Sequence, residues 1–109
     1  MRGKHLGELE ELVLLTVGAM PGEAYAVNIL EEIKQQTQRI IDVTAIHSVL
    51  RRLEKKGLVH SKMGGATSKR GGRRKRFFEI TVAGRKVLDD SMLVRMQLYK
   101  KLLNATIKN

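Results

Sequence analysis

Two short β-type segments joined by a glycine-rich, basic stretch constrain the fold of this chain more than any other feature. LVHSKM (58–63) and RRKRFFEIT (73–81) are the β-type segments, and GGATSKRGG (64–72) connects them. Strand-forming residues on either side of a flexible connection predict a β-hairpin. Its base is apolar, with Val59 on one strand and Phe78 on the other. The sequence therefore predicts a hairpin that is anchored in a core at its base and projects into solvent at its tip.

Positive charge is concentrated in and around this hairpin. The 109-residue chain has a net charge of +10, yet residues 44–86 alone hold thirteen Lys and Arg against two Asp and Glu. Such a one-sided segment indicates a surface that binds a polyanion. Six cations immediately precede the aromatic pair Phe77-Phe78. The predicted anion-binding residues of the hairpin are Lys69, Arg70, Arg73, Arg74, Lys75 and Arg76.

Three amphipathic helices are predicted before the hairpin, over residues 6–20, 25–39 and 44–57, because apolar residues recur there every three or four positions. Between the last two, IIDV (40–43) predicts a brief strand, since three of its four residues are β-branched. Thr44 offers an N-cap for the third helix. The residues of that helix expected to face the core are Ile46, Val49, Leu50 and Leu53.

A single long helix is predicted after the hairpin, over residues 82–107, with Thr81 as its N-cap. A helix of about 26 residues spans roughly 39 Å, which is longer than so small a domain needs to cover itself. It carries two apolar stripes, and a helix that is apolar on more than one face must bury more than one face. A dimer is therefore predicted. The first stripe, taken as the dimer interface, contains Leu88, Met92, Met96, Tyr99 and Leu103.

The order of elements is helix, helix, short strand, helix, hairpin and long helix. This order predicts a mainly α protein with one β-hairpin, namely a winged helix-turn-helix followed by a dimerisation helix. Residues 1–81 are expected to form the DNA-binding domain, and residues 82–109 the dimerisation helix packed on that domain. A plain α+β domain of unknown role is the alternative.

In a helix-turn-helix protein the second helix of the motif enters the major groove of DNA. Here that helix begins at residue 44, and its outward residues are expected to meet base edges and phosphates. These residues are Thr44, Ala45, His47, Ser48, Arg51, Arg52 and Lys55. Arginine both reads guanine and clamps phosphate, so either role is open for each arginine. The hairpin cations are expected on the same face of the protein, over the flanking backbone or minor groove.

Other classes of function find little support in the sequence. There are no cysteines, and the three histidines lack the spacing of a metal site, so neither a metal nor another cofactor is predicted. No nucleophile lies beside a base, and the adjacent Asp89 and Asp90 point in different directions on a helix, so an enzyme is not expected. No run of about 18 apolar residues or secretory signal is found. A soluble, intracellular protein is expected.

Five stretches of this sequence resemble the PadR family of bacterial transcriptional regulators: LGELEELVLLTV, AYAVNILEEI, TAIHSVLRRLEKKGLV, GGRRKRFFEIT and VAGRKVL. The resemblance implies a cytoplasmic, nucleoid-associated homodimer that represses a palindromic operator, with a small-molecule effector left open. It also implies that the C-terminal helix crosses the partner's N-terminal and C-terminal helices, which adds Leu6 and Leu9 to the expected interface. The alternative function is an adaptor or assembly module that binds an acidic protein or RNA.

Overall fold

The computed structural model of the protein describes residues 6–64 and 75–105. Four helices and one antiparallel hairpin follow one another along the chain, which confirms the mainly α, winged helix-turn-helix fold predicted from the sequence. The elements are α1 (Glu8–Ala19), α2 (Ala26–Thr37), α3 (Val43–Lys55), β1 (Val59–Met63), β2 (Arg76–Ile80) and α4 (Val82–Asn104). Each predicted helix ends one to three residues after the observed one, because helix ends carry weak sequence signals.

The start of α3 differs from the prediction. Asp42, and not Thr44, is the N-cap: its carboxylate accepts hydrogen bonds from the Thr44 backbone N–H and hydroxyl, both at 2.9 Å. These bonds hold the pKa of the Asp42 carboxyl below its ordinary value. The predicted strand over 40–43 is also wrong. Ile40 to Asp42 form no regular element, and Val43 opens the helix because the Asp42 cap sets the boundary there.

The hairpin, called the wing from here on, is held to the helices at its base. Its register runs from the Val59–Ile80 pair to the Met63–Arg76 pair. The Phe78 side chain is buried, and its backbone N–H donates to the Ala24 carbonyl oxygen at 2.9 Å. The wing is therefore anchored both by apolar burial and by a backbone bond to the loop before α2, as the sequence predicted for its base.

One residue, Thr81, separates the wing from α4. Its hydroxyl accepts a hydrogen bond from the Gly84 backbone N–H at 3.0 Å, which confirms it as the N-cap of α4. The same hydroxyl donates to the Gly57 carbonyl oxygen at 2.7 Å. Gly84 lies so close to the chain after α3 that a Cβ there would collide with the Leu58 carbonyl oxygen. The first turn of α4 is thus fixed against the base of the wing.

The core lies between α1, α2, α3 and the wing. All four residues of α3 that were expected to face inward are buried, as are Val13, Leu14 and Val17 of α1. Helix α4 contributes Leu88 to this core and then continues past it. No helix in residues 6–64 and 75–105 has the length and apolarity needed to cross a bilayer.

Candidate nucleic-acid interface

Helix α3 and the wing share one face of the protein. His47, Arg51 and Glu54 of α3 line a groove whose opposite wall is formed by Arg76 and Phe78 of β2. Cations from both elements therefore stand on either side of the same groove, as expected from the sequence. Of the six predicted wing cations, Lys75 and Arg76 are described and exposed. The other four, Lys69, Arg70, Arg73 and Arg74, lie outside the described residues.

A second groove of about 390 Å³ adjoins the first and extends to the start of α2. His47, Lys75 and Arg76 line it on the side of α3 and the wing, and Tyr25 and Val27 line it on the side of α2. The α2 residues were not among the predicted site residues. Helical periodicity assigns them to a helix start but cannot reveal that this start faces the wing.

Tyr25 orients one of the wing cations. The Lys75 ammonium lies 4.5 Å from the centre of the Tyr25 ring, a distance at which a cation is attracted to the ring face. The same ring meets Phe77 edge to face, with ring centres 5.2 Å apart. These two contacts join the wing to the N-terminal end of α2 and hold Lys75 beside the groove.

Arg76 is held by a separate chain of hydrogen bonds. Its Nη1 donates to the Ser61 hydroxyl at 2.9 Å, and that hydroxyl donates to Glu54 Oε2 at 2.8 Å. Ser61 lies on β1 directly beside the Phe78 position of β2, and its bond to Glu54 carries these hydrogen bonds from the wing to α3. The two described wing cations are thus tied to two different places, Lys75 to the N-cap residue of α2 and Arg76, through Ser61, to α3.

The predicted contact residues of α3 do not all point the same way. Thr44, His47, Arg51 and Lys55 are exposed, whereas Ala45 and Ser48 are half-buried. Arg52 is exposed in part, but its Nε donates to Glu10 Oε2 of α1 at 2.9 Å. The structure therefore brings His47 and Arg51 to the wing and turns Arg52 toward α1.

Glu10 of α1, which faces the inner side of α3, is the one buried acid within the described part of the chain. Besides Arg52, it accepts hydrogen bonds from Lys56 Nζ at 2.9 Å and from the Gly7 backbone N–H at 3.1 Å. Burial raises the pKa of this carboxyl, but the bonds from Lys56, Arg52 and Gly7 outweigh burial and lower the pKa to about 2. Glu10 is therefore ionised at neutral pH and fastens α3 to α1.

The predicted dimer residues divide into three groups. Met96, Tyr99 and Leu103 are exposed by 58%, 58% and 65%, although they are apolar. Leu88 is only 5% exposed because it belongs to the core of its own chain, so it has little surface to offer a partner. The remaining three are half-buried: Met92, Leu6 and Leu9.

No cluster of acidic and histidine side chains suited to a metal ion occurs in the described residues. Among proteins of curated function, no sequence matches this chain. The model of the PadR-like family of transcriptional regulators matches residues 13–90. That stretch contains α2, α3 and the wing completely, together with most of α1 and the start of α4.

Solved structures share the fold over most of the chain. A transcriptional regulator from Clostridium thermocellum is 26% identical, with 92% of this chain and 90% of that chain covered and a TM-score of 0.66. A PadR family transcription regulator from Clostridium difficile is 19% identical, with coverages of 90% and 96% and a TM-score of 0.69.

Bacillus subtilis PadR, solved in complex with operator DNA, is 18% identical, with 78% of this chain and 46% of that chain covered and a TM-score of 0.64. The family match spans the helices and the wing that build the shared face. Regulators of this family are DNA-binding proteins and not enzymes. This agrees with the sequence-based predictions that the protein binds DNA and that it is not an enzyme. With that match over well more than half of its length, the chain belongs to the PadR-like family of transcriptional regulators.

Proposed function

We propose that this protein is a homodimeric repressor that binds a palindromic DNA operator through α3 and the wing. The observation that carries the proposal is the groove shared by His47 and Arg51 of α3 and Arg76 of the wing. Because these side chains border one groove, a single stretch of duplex can touch both elements. The operator complex of the Bacillus subtilis relative supports the proposal by analogy of fold.

In this arrangement the N-terminal part of α3 enters the major groove, which is about 12 Å wide. His47, Ser48 and Arg51 then face base edges, while Thr44 and Lys55 lie toward the phosphates on either side. The wing cations contact the neighbouring backbone. Arg52 receives a different role, since its bond to Glu10 points it away from the groove and makes it a support for α3.

The second copy of the chain is proposed to cover the far half of α4. Seven large apolar residues there are exposed by half or more. They are Leu93, Val94, Met96, Leu98, Tyr99, Leu102 and Leu103. At 100° per residue, six of the seven fall on an arc of roughly 200°, which is wider than one neighbouring helix covers. We infer that residues 82–109 serve dimerisation, packing against α4 and α1 of the partner, while residues 1–81 bind DNA.

A cytoplasmic location follows from a function on bacterial DNA. A small-molecule effector is compatible with the fold, but none of the contacts described above assigns a site to it.

The test of DNA binding compares the parent with Arg51→Ala. Fluorescence anisotropy is measured on a random-sequence duplex and on a duplex that the parent has selected from a random pool. The parent should bind both and prefer the selected one. We expect Arg51→Ala to weaken binding to the selected duplex by roughly tenfold to a hundredfold. Arg85→Ala is the matched control, since Arg85 pairs with Asp89 on α4, outside the shared groove.

Two results would contradict this proposal. If the parent bound neither duplex at low salt but bound an acidic protein or RNA, the adaptor function would be favoured. If Arg51→Ala kept the full preference for the selected duplex, α3 would not be the reading helix.

The test of the dimer is light scattering on the parent and on the double variant Met96→Asp and Leu103→Asp. The parent should have the mass of two chains. The double variant should have the mass of one, because two unpaired carboxylates would be buried in the interface. Gln97→Asp adds the same kind of charge on the polar face of α4 and should leave the dimer intact. A parent with the mass of one chain would overturn the dimer.

A further inference from the structure

An acidic side chain stands among the cations of the proposed DNA-binding face. Residues 44–86 contain only two acids, Glu54 and Glu79. The Glu54 carboxylate borders the same groove as Arg51 and Arg76. At such short range from a bound duplex, solvent ions screen its repulsion of phosphates incompletely. An acid at this point lowers affinity for DNA, so its presence requires a physical explanation.

The contacts of Glu54 supply one. The Ser61 hydroxyl has a single proton, and with it donates a hydrogen bond to Glu54 Oε2 at 2.8 Å. A lone pair of Ser61 Oγ accepts a hydrogen bond from Arg76 Nη1 at 2.9 Å. A guanidinium can only donate, so the direction of this chain is fixed from Arg76 through Ser61 to Glu54. The carboxylate therefore determines where the Arg76 guanidinium rests, without touching it directly.

The second acid has no such relation to the groove. The Glu79 carboxylate lies 3.2 Å from His60 Nε2 and 3.4 Å from Lys62 Nζ. His60 is paired with Glu79 in the hairpin register, whereas Ser61 is paired with Phe78. Because successive side chains of a strand point to opposite faces, Glu79 lies on the face of the wing that is turned away from α3. The two acids thus carry the same charge but have different surroundings.

We propose that Glu54 is a specificity-determining positioning residue, which holds Arg76 through Ser61 in one place on the groove. This inference rests on the proposed function and deepens it. Complexes with unrelated sequences draw their affinity from phosphate contacts made in many registers, and they use whichever cations can move to a phosphate. An Arg76 side chain that is held in one place cannot reach a phosphate in each of those registers. In a complex whose register is set by α3, a phosphate lies where Arg76 is already held, so the restraint costs little.

The experiment measures the affinity of the parent, Glu54→Gln and Ser61→Ala for the random and the selected duplex over a series of KCl concentrations. Glu54→Gln should bind the random duplex roughly threefold to tenfold more tightly. The slope of log K against log salt should steepen by about 1 per subunit, since one further cation reaches a phosphate. Affinity for the selected duplex should change by about twofold or less, so the preference falls.

Glu79→Gln is the matched control, because it makes the same change in net charge on the opposite face of the wing. Its effect on the random duplex should be clearly smaller than that of Glu54→Gln. Ser61→Ala breaks the chain without changing any charge, and it should lower the preference in the same direction. Because the Glu54 side chain is exposed, its replacement by glutamine should leave the fold unchanged, which circular dichroism checks.

Three outcomes would overturn the inference. In the first, Glu54→Gln binds the random duplex no more tightly than Glu79→Gln does. In the second, it loses affinity for the selected duplex without gaining any for the random one, which would make Glu54 a direct contact to a base. In the third, Ser61→Ala keeps the parent's preference. A parent that bound no duplex would instead contradict the proposed function itself, so the two failures are distinguishable.

Discussion

Arg51 and Arg52 are neighbours in sequence with the same side chain, yet they lie on different sides of α3. Arg51 borders the groove beside the wing, whereas Arg52 donates to the buried carboxylate of Glu10. The two side chains leave the helix about 100° apart, and the bond to Glu10 of α1 holds Arg52 on the side away from the wing. The charge of an arginine alone therefore does not indicate whether it is available to DNA or stabilises the fold. The residue that its side chain contacts does.

The largest expected effect comes from removing the charge that holds the inner side of α3. Glu10→Gln should lower the free energy of unfolding at neutral pH by about 2 kcal/mol, since Arg52 and Lys56 lose the negative charge and one of the two acceptor oxygens between them. Urea denaturation measures this loss. Glu8→Gln is the control, because the Glu8–Arg39 pair is exposed and should contribute less than about 1 kcal/mol. Equal losses in the two variants would contradict the special role of Glu10.

The pH dependence of stability should sharpen the same distinction. The pKa of Glu10 is lowered from 4.5 to about 2 in the folded protein, so its contribution is complete above the unfolded value. As the pH falls from about 5 toward 2, Glu10 becomes protonated and that contribution is lost. The difference in unfolding free energy between the parent and Glu10→Gln should therefore shrink over this interval. A difference that stayed constant would show that the carboxylate charge is not what stabilises α3.

A smaller contrast is expected between the two arginines themselves. Arg52→Ala should lower the free energy of unfolding by about 1 kcal/mol, because it removes one bond to a buried carboxylate. Arg51→Ala should change it by less than about 0.5 kcal/mol, as for most exposed residues. The order should reverse for binding to the selected duplex, where Arg51→Ala is the more damaging variant. Thermal unfolding and anisotropy on the same two proteins would check both halves.

The sequence predicted well what depends on local periodicity. The inward residues of α3, Ile46, Val49, Leu50 and Leu53, follow the helical repeat and are all buried. The anchoring of the wing by Phe78 and the cap at Thr81 were also predictable, because an aromatic residue at a strand base and a hydroxyl before a helix are local signals.

The remaining features depend on packing between distant parts of the chain. Glu10 and Arg52 are 42 positions apart, and no spacing rule connects them. The contact of Tyr25 with Lys75 is equally remote in sequence. The start of α3 was predicted wrongly because Asp42 and Thr44 are both good capping residues. Asp42, the earlier of the two, is the N-cap. Such choices are decided by three-dimensional contacts that periodicity does not contain.

The single residue between the wing and α4 has a mechanical consequence. The Thr81 hydroxyl is hydrogen-bonded both to Gly57, before β1, and to Gly84, in the first turn of α4. These bonds restrict rotation of the wing relative to α4. If the two α4 helices of a dimer rotated relative to each other, each wing would move together with its own α4. The distance between the two wings, and hence the spacing of the DNA sites that they fit, would therefore depend on the angle at which the two helices cross.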